Sequence, residues 1–441
     1  MATDRYIAAL EISSSKVIGA VGAIGKSGQL EILAVEQQKS TDSVRYGHIQ
    51  NVEETSTLIN FVLDRLERRP NISPRVITGV YVGLSGRSLR SIEQDVTISL
   101  PDDTEITDTV LERLKNKALE AAIDNSLEIV DAVPRIFTVG RTETHRPKGM
   151  MGNSISAIYD LVVARPDMQN KLRKVVVDKL DLNLRGTIVT PLAMGDLVLN
   201  EHEKKLGCML VDIGAETTSV TIYTRGNMVY YATIPLGGRN ITLDLKALNV
   251  IEDKAEELKL TFGNAIAPLI PSQEMVGAHK LSSISNYVVA RAEEIVANIA
   301  EQVRFAKLTE KDIPEGIVLC GGGARLNGMA DLIAKFTGLK VRMATYPAFI
   351  RMSDPNGQGI ESLQLAAIMY EGSKRSDSDC LAIPTAPEPE EPATDIGQPD
   401  HVQPAAPEPK KSKPGLFTRF GNALGRIFTP IGEDDEGDEL S

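Results

Sequence analysis

The sequence contains no tryptophan, only 4% aromatic residues, and three cysteines among 441 positions. The shortage of aromatic residues does not prevent a core, because 42% of the residues are hydrophobic, an ordinary share for a globular chain. Three cysteines cannot all pair. Cys208 and Cys320 sit in apolar, strand-like runs and Cys380 in a polar stretch, with no metal-ligand spacing. That pattern excludes a disulfide framework and points to reduced, buried thiols in a reducing compartment. No apolar run reaches the roughly 18 residues needed to span a bilayer, and no secretory signal precedes Tyr6. The expectation is a cytoplasmic chain unless something lays it on a membrane. Acidic residues outnumber basic ones, 60 to 48, for a net charge of -12. Such a balance favours solubility and argues against nucleic acid as the ligand. The length excludes one ordinary domain and suggests roughly two to four compact units.

What is present is a repeated grammar. Tyr6 to Glu11 reads as a strand, Ser13-Ser14-Ser15 as a turn, and Lys16 to Ile24 as a second strand. A turn at Gly25 to Gly28 leads to a third strand, Leu30 to Val35. A helix from about Glu53 to Arg68 follows, closed by Pro70. Two hundred residues later the pattern returns: strand Cys208 to Ile213, turn Gly214-Ala215-Glu216-Thr217, strand Thr218 to Thr224, turn Arg225 to Asn227, strand Met228 to Ile234. Glu11 ends the first strand of one copy and Asp212 that of the other. The pairing predicts an internally duplicated α/β protein with one sheet in each half.

Tight turns between strands aim backbone N–H groups into one concavity, which suits phosphate oxygens when the residues are small. Ser13, Ser14 and Ser15 meet that requirement, and Lys16 adds positive charge. Gly214, Ala215, Thr217 and Thr218 meet it in the second turn, with Glu216 among them. Asp212 is placed to hold a hydrated Mg²⁺ through water, the mode this ion adopts when it bridges phosphates. A third stretch, Gly321-Gly322-Gly323-Ala324, follows a strand at Gly316 to Cys320, and Arg325 and Leu326 are expected to open a helix. Consecutive glycines let a flat ligand such as a purine lie against backbone.

These three segments resemble the phosphate-1, phosphate-2 and adenosine motifs of the actin-like ATPase superfamily. Ala255 to Gly263 resembles the helix that brings a Glu and a Lys to the nucleotide ribose, which would be Glu256 and Lys259. The chain is identified as a member of the FtsA family of bacterial cell-division proteins on Val82-Gly83-Leu84-Ser85-Gly86-Arg87, on a helix from Gly195 to Gly207, and on its tail. The departures are Ala215 and Glu216 where two more glycines are usual, and Ser219 where an Asp is common. Glu216 would put a carboxylate near phosphates unless it turns away. ATP with Mg²⁺ is the implied cofactor, with slow hydrolysis at most and no assignable catalytic residue.

The resemblance implies a duplicated actin-like (ribonuclease H-like) α/β fold with an inserted α/β subdomain. Residues 1–84 and 167–205 would form the first half, 85–166 the insert, 206–240 and 288–370 the second half, and 241–287 a small subdomain. In the insert, Asp95 to Leu100 reads as a strand and Thr107 to Ile123 as a helix, with strands near Val130 and Ile158. The family further implies polymerisation, a role in recruiting other division proteins, and tethering of the tubulin-like FtsZ ring to the cytoplasmic face of the membrane at the division site. By the same resemblance, residues 241–287 and Arg291 would receive the acidic C-terminal peptide of FtsZ.

Composition changes after residue 370. Residues 371–414 hold nine prolines beyond position 383 and few large apolar residues, which predicts a disordered linker. Residues 415–430 then read as an amphipathic helix. Leu416, Phe417, Phe420, Ala423, Leu424, Ile427 and Phe428 share one face, and Arg419 and Arg426 lie on the other, behind Lys410, Lys411 and Lys413. An aromatic apolar face and a basic polar face suit a helix lying in a membrane interface. The acidic residues 431–441 would oppose anionic lipid.

Other actin-like readings compete. A small-molecule kinase needs a base at a substrate hydroxyl, and no residue stands out for it. A chaperone ATPase would need a peptide-binding domain after residue 370. A pilus-assembly ATPase would not be expected to carry the amphipathic tail.

Overall fold

The computed structural model describes residues 5–384 apart from 26–28, 41, 271, 354–361 and 376–378. Residues 415–430, where an amphipathic helix is expected, the acidic tail and all but the first part of the expected linker lie outside the described residues.

The duplication is visible as strand order. One sheet has six strands, in the order Asn183–Val189, Gly79–Leu84, Arg5–Ile12, Lys16–Ile24, Leu30–Lys39 and Ile350–Met352. In the other half, Val341–Met343, Ile317–Cys320, Cys208–Ile213, Thr218–Thr224 and Asn227–Ile234 repeat the first five places of that order. Each half thus joins an antiparallel meander to two parallel strands beside its first strand. Ala9 pairs with Tyr81 in one half, and Val211 with Leu319 in the other. The first strand of each copy is central and covered on both faces, so it reads as a continuous apolar run rather than an alternating one. Leu10 and Val211 are fully buried.

The helix Val52–Glu67 starts where the Asn51 side chain accepts from the Glu54 N–H at 3.1 Å, a capping bond. It lies close on the meander because Gly19 has no side chain: a Cβ there would stand 2.8 Å from Val62 Cγ1. Three apolar cores result: one is centred on the first half and takes in Leu210, Tyr231 and Val318 of the second half's sheet, one lies in the second half, and one in the insert. Residues of the 241–287 stretch, including Ile241, Leu258 and Ile284, belong to the core of the second half.

The insert contributes Arg90–Glu105, Asp108–Leu119, Glu128–Val139, Thr142–Thr144 and Met151–Ala164. Its strands extend the sheet of the second half through the pair Ala232↔Arg90, making nine strands in all. The Ser91 hydroxyl accepts from the Tyr231 N–H at 2.9 Å. Arg135 donates to both Asp160 oxygens at 2.9 and 2.6 Å and to the Val229 carbonyl at 3.0 Å.

Several expectations need correction. The helix expected from Gly195 to Gly207 is two helices, Thr190–Val198 and Glu201–Leu206, because Leu199 is extended and Asn200 caps the second in a reciprocal pair with Glu203. Arg325 and Leu326 do not open an α-helix. Gly323–Arg325 is a single 3₁₀ turn, and the helix Met329–Thr337 begins after Gly328, which is left-handed. The linker does not begin at 371, since the last long helix runs Leu363–Lys374. Leu381–Ala382 then pairs with Val76–Ile77, and Cys380 is fully buried. The Cys380 carbonyl accepts from the Thr78 N–H at 2.8 Å, and its N–H donates to the Tyr6 carbonyl at 3.0 Å.

Candidate functional site

The two strand–turn–strand units close in the same way. The Ser13 N–H donates to the Lys16 carbonyl at 3.0 Å, and the Gly214 N–H to the Thr217 carbonyl at 2.8 Å. In the first turn the Ser13 hydroxyl also donates to the Lys16 carbonyl at 2.8 Å, and Ser14 Oγ accepts from the Gly47 N–H at 3.2 Å. Ser15 is exposed, and Lys16 Nζ donates to Gln37 Oε1 at 3.1 Å.

The glycine run packs on the second turn. Gly321 has φ +89, and a Cβ there would collide with Asp212 Oδ1 and the Ile213 carbonyl. A Cβ on Gly323 would meet Ile213 Cγ2 at 2.5 Å and the Gly214 carbonyl at 3.2 Å. Gly322 differs, because a Cβ there meets nothing within 4 Å and points into open space. The start of the helix Gly238–Leu245 docks on the same turn. The Gly238 and Arg239 N–H groups donate to the Gly214 and Ala215 carbonyls at 2.9 and 2.7 Å. Lys259 Nζ reaches the Gly238 carbonyl at 3.1 Å, Thr242 Oγ1 at 3.0 Å and Glu256 Oε2 at 2.7 Å. The second turn, the glycine run and the Glu256–Lys259 pair are therefore assembled around one region. Thr218, by contrast, is fully buried, and its hydroxyl donates to the Leu236 carbonyl at 2.8 Å.

Two buried carboxylates end the equivalent strands. Burial pushes the Glu11 carboxyl up to about 7, against a lowering bond from the Ser362 hydroxyl and the charge of Lys16, and Asp212 raises it further. Burial pushes Asp212 up to about 6, while its Oδ2 accepts from Gln364 Nε2. Ser362 also caps the helix Leu363–Lys374, accepting from the Leu365 N–H at 3.3 Å. One helix start thus engages both carboxylates. Asp212 Oδ1 is buried and has no hydrogen-bond partner. A bare carboxylate oxygen in low dielectric is costly, and a hydrated cation beside it would relieve that cost. Among the described residues, no three His, Cys, Asp or Glu side chains cluster as a metal cage. One carboxylate plus ligand phosphates is the set Mg²⁺ takes, so the residues fit that ion.

Glu216 is not available to a nucleotide. It is 3% exposed, and its oxygens accept from Arg45 Nε at 2.7 Å, the Tyr46 N–H at 2.6 Å and Arg239 Nη1 at 3.0 Å. Arg239 also bonds Glu252 and Asp42, at 2.7 and 3.1 Å. Sequence reasoning missed this clasp, since its members are scattered from 42 to 252. It also missed Ser362 and Gln364, whose only signal is a Ser placed just before an apolar helix.

Arg291 lies on the helix Leu281–Phe305, away from these turns in the chain. It grips Asp244 in a fork at 2.6 and 3.0 Å and also bonds Glu294. Large apolar side chains lie exposed across the 241–287 stretch, Ile251 at 74%, Leu260 at 71% and Ile270 at 83%. Among the described residues, no helix is long and apolar enough to cross a membrane.

Comparison with known proteins agrees with this architecture. Residues 209–362 match the family model for cell division protein FtsA, and residues 86–163 match the model for the SHS2 domain inserted in FtsA. Together these take in more than half of the chain. The chain is 29% identical over 354 residues to cell division protein FtsA of Porphyromonas gingivalis, covering 77% of this chain and 73% of that one. It is 26% identical to FtsA of Pseudomonas aeruginosa, over 86% of this chain and 93% of the relative. With FtsA of Streptococcus pneumoniae it shares 29% identity over 97% of this chain and the whole of the other. Among solved structures, the PilM–PilN type IV pilus biogenesis complex superposes with a TM-score of 0.60 at 17% identity, over 84% of this chain and 98% of that one. The fold is the mixed α/β, actin-like one, with an SHS2 insertion.

Proposed function

The chain belongs to the FtsA family of cell-division proteins, and on that premise we propose that it is an ATP-binding tether between the FtsZ ring and the membrane. In this reading it polymerises, lies on the cytoplasmic face at the division site, and offers a surface to other division proteins.

The observation that carries the nucleotide part is Asp212 Oδ1, buried without a partner beside a glycine run whose middle member faces open space. Mg²⁺ bound there would supply the positive charge that such a carboxylate lacks, and the phosphates of ATP would complete the ion's oxygen shell. The chain's own groups do the positioning. Asp212 holds the hydrated ion through water, and the Ser13–Lys16 and Gly214–Thr217 turns cradle phosphates. Gly321, Gly322, Gly323 and Arg325 border the base, and Glu256 and Lys259 face the ribose. Two actin-like halves joined around a nucleotide suit a protein whose bound ligand sets filament geometry rather than turnover.

For the membrane part, residues 415–430 supply the anchor. Leu416, Phe417, Phe420, Leu424, Ile427 and Phe428 enter the headgroup boundary, and Arg419 and Arg426 meet lipid phosphates. Filament formation multiplies weak anchors by avidity. For the partner part, Arg291 exchanges Asp244 for a carboxylate of the FtsZ peptide, next to exposed apolar side chains that take the peptide's apolar residues.

A thermal-shift titration with ATP and Mg²⁺ tests the cleft. ATP should raise the melting temperature of the parent chain, since a native-state ligand stabilises. Asp212→Ala should lose the shift. Gly322→Phe should fold normally, because the added side chain enters open space, and should lose the shift as well. No shift in the parent at millimolar ATP would reject the site.

A further inference from the structure

A second cavity lies at the root of the insert, and nothing in the nucleotide reading uses it. It has a volume of about 970 Å³ and is lined by Arg87, Ser88, Arg90, Ser126, Leu127, Arg165, Pro166 and Asp167. Arg87 to Arg90 is where the chain enters the insert, and Arg165 to Asp167 is where it leaves. The cavity therefore brings together both ends of the inserted subdomain.

Its charge is unbalanced. Among the described residues, Arg87, Arg90 and Arg165 form no salt bridge, although Arg90 is close enough to Asp124 to help lower that carboxyl. Arg87 only rests against the Tyr46 ring, 5.1 Å from its centroid. The one lining carboxylate, Asp167, is held by Lys171 at 3.2 Å. Ser88 is 8% exposed, and its hydroxyl is buried without a hydrogen-bond partner. The nearby His48 is lowered from its ordinary value by burial, with Arg87, Arg165 and Lys171 also lowering it and Asp167 raising it, which disfavours a further positive charge there. Glu128, on the strand following Leu127, is pushed upward by burial, with hydrogen bonds at Gln169 lowering it and the charge of Asp167 raising it.

Guanidinium forks recognise phosphate and carboxylate by paired hydrogen bonds. Three exposed arginines without a salt bridge line one concavity, and with the orphaned Ser88 hydroxyl they form a complement to an anion carrying more than one charge. The volume falls in the range of small-molecule sites, about 300–1,000 Å³, and Leu127 with Pro166 provides apolar wall for an organic group. We propose that this cavity is a second ligand site, taking a soluble small molecule with two or more phosphate groups. Bound there, it would clamp the entry and exit of the insert together. Arg90 also pairs with Ala232, so the same clamp bears on the seam between the insert and the second half.

Isothermal titration with inorganic pyrophosphate, at constant ionic strength, tests the proposal on the full chain carrying Gly322→Phe, so that the nucleotide cleft does not contribute. The expected result is one site per chain. Arg87→Gln with Arg165→Gln should weaken binding by more than about tenfold, and Arg113→Gln, an exposed arginine on the helix of the insert, should leave it unchanged. Arg165→Lys, which keeps the charge and loses the fork, should fall between them, and circular dichroism should show all variants folded. Absence of binding, or binding indifferent to Arg87 and Arg165, would overturn the site. Two competitors fix the source of the anion. Displacement of pyrophosphate by phosphatidylglycerol vesicles, in a chain with Phe420→Glu and Phe428→Glu, would assign the site to a lipid headgroup and overturn the soluble ligand. Tighter binding of a peptide of residues 431–441 than of pyrophosphate would assign it to an acidic chain segment, with the same consequence.

Discussion

The Tyr46 backbone N–H donates to Glu216 Oε2 at 2.6 Å across 170 residues of sequence, joining a loop of the first half to the second strand turn. Arg45 and Arg239 hold the other Glu216 oxygen at 2.7 and 3.0 Å. Glu216→Ala should leave these donors short of an acceptor and cost about 3 kcal/mol, the scale for breaking one side of a buried ion pair. Urea unfolding gives that value. Amide exchange should become faster at residues 42–47 in the variant. An unchanged unfolding midpoint would mean that the clasp does not hold the halves.

The buried carboxylates make a pH prediction whose sign is fixed. Glu11 moves from an ordinary 4.5 to about 7, and Asp212 from 3.8 to about 6. Between their unfolded and folded values the native state holds the protons more tightly. The stability they contribute is full below about pH 4 and is lost as pH rises through about 6 to 7. Each contributes on the order of 3 kcal/mol at most. Glu11→Gln with Asp212→Asn should flatten this part of the profile in ligand-free protein. Mg²⁺ with nucleotide favours the ionised form of Asp212, so its stabilising effect should grow from about pH 6 upward. Denaturation midpoints measured between pH 5 and 8, with and without Mg²⁺·ATP, check both statements. A double variant with the parent's pH dependence would contradict them.

Arg291 is engaged by Asp244, so an acidic peptide docking on it as proposed would have to displace that carboxylate. Arg291→Gln should weaken binding of the FtsZ C-terminal peptide by about tenfold or more, with the ATP shift intact. Asp244→Asn should have the opposite effect, since it releases the guanidinium. Fluorescence anisotropy with a labelled peptide reads both. Equal affinities in all three proteins would move the contact away from Arg291.

Much of this architecture was legible in sequence because it repeats. Two apolar runs, each ended by an acid and followed by a turn of small residues, mark the central strands of both halves. The glycine run was equally plain. What stayed hidden depends on tertiary contact. Glu216 read as a residue of the phosphate turn, because nothing local shows that Arg45 and Arg239 approach it. Ser362 and Gln364 meet carboxylates more than 150 residues away, beyond any periodic signal. Cys380 to Ala382 is too short an apolar group to stand out among prolines and acids, yet it completes a strand pair against Val76–Ile77. Asn200 was absorbed into one long helix because its capping role shows only when Glu203 folds back on it.

The tether itself is tested by co-sedimentation of labelled FtsZ with vesicles rich in phosphatidylglycerol, in the presence of this chain and Mg²⁺·ATP. FtsZ should pellet with the parent chain and stay in the supernatant with Phe420→Glu/Phe428→Glu, whose charges cannot enter the headgroup boundary. FtsZ that remains soluble with the parent chain, or that sediments equally with the double variant, would contradict the account.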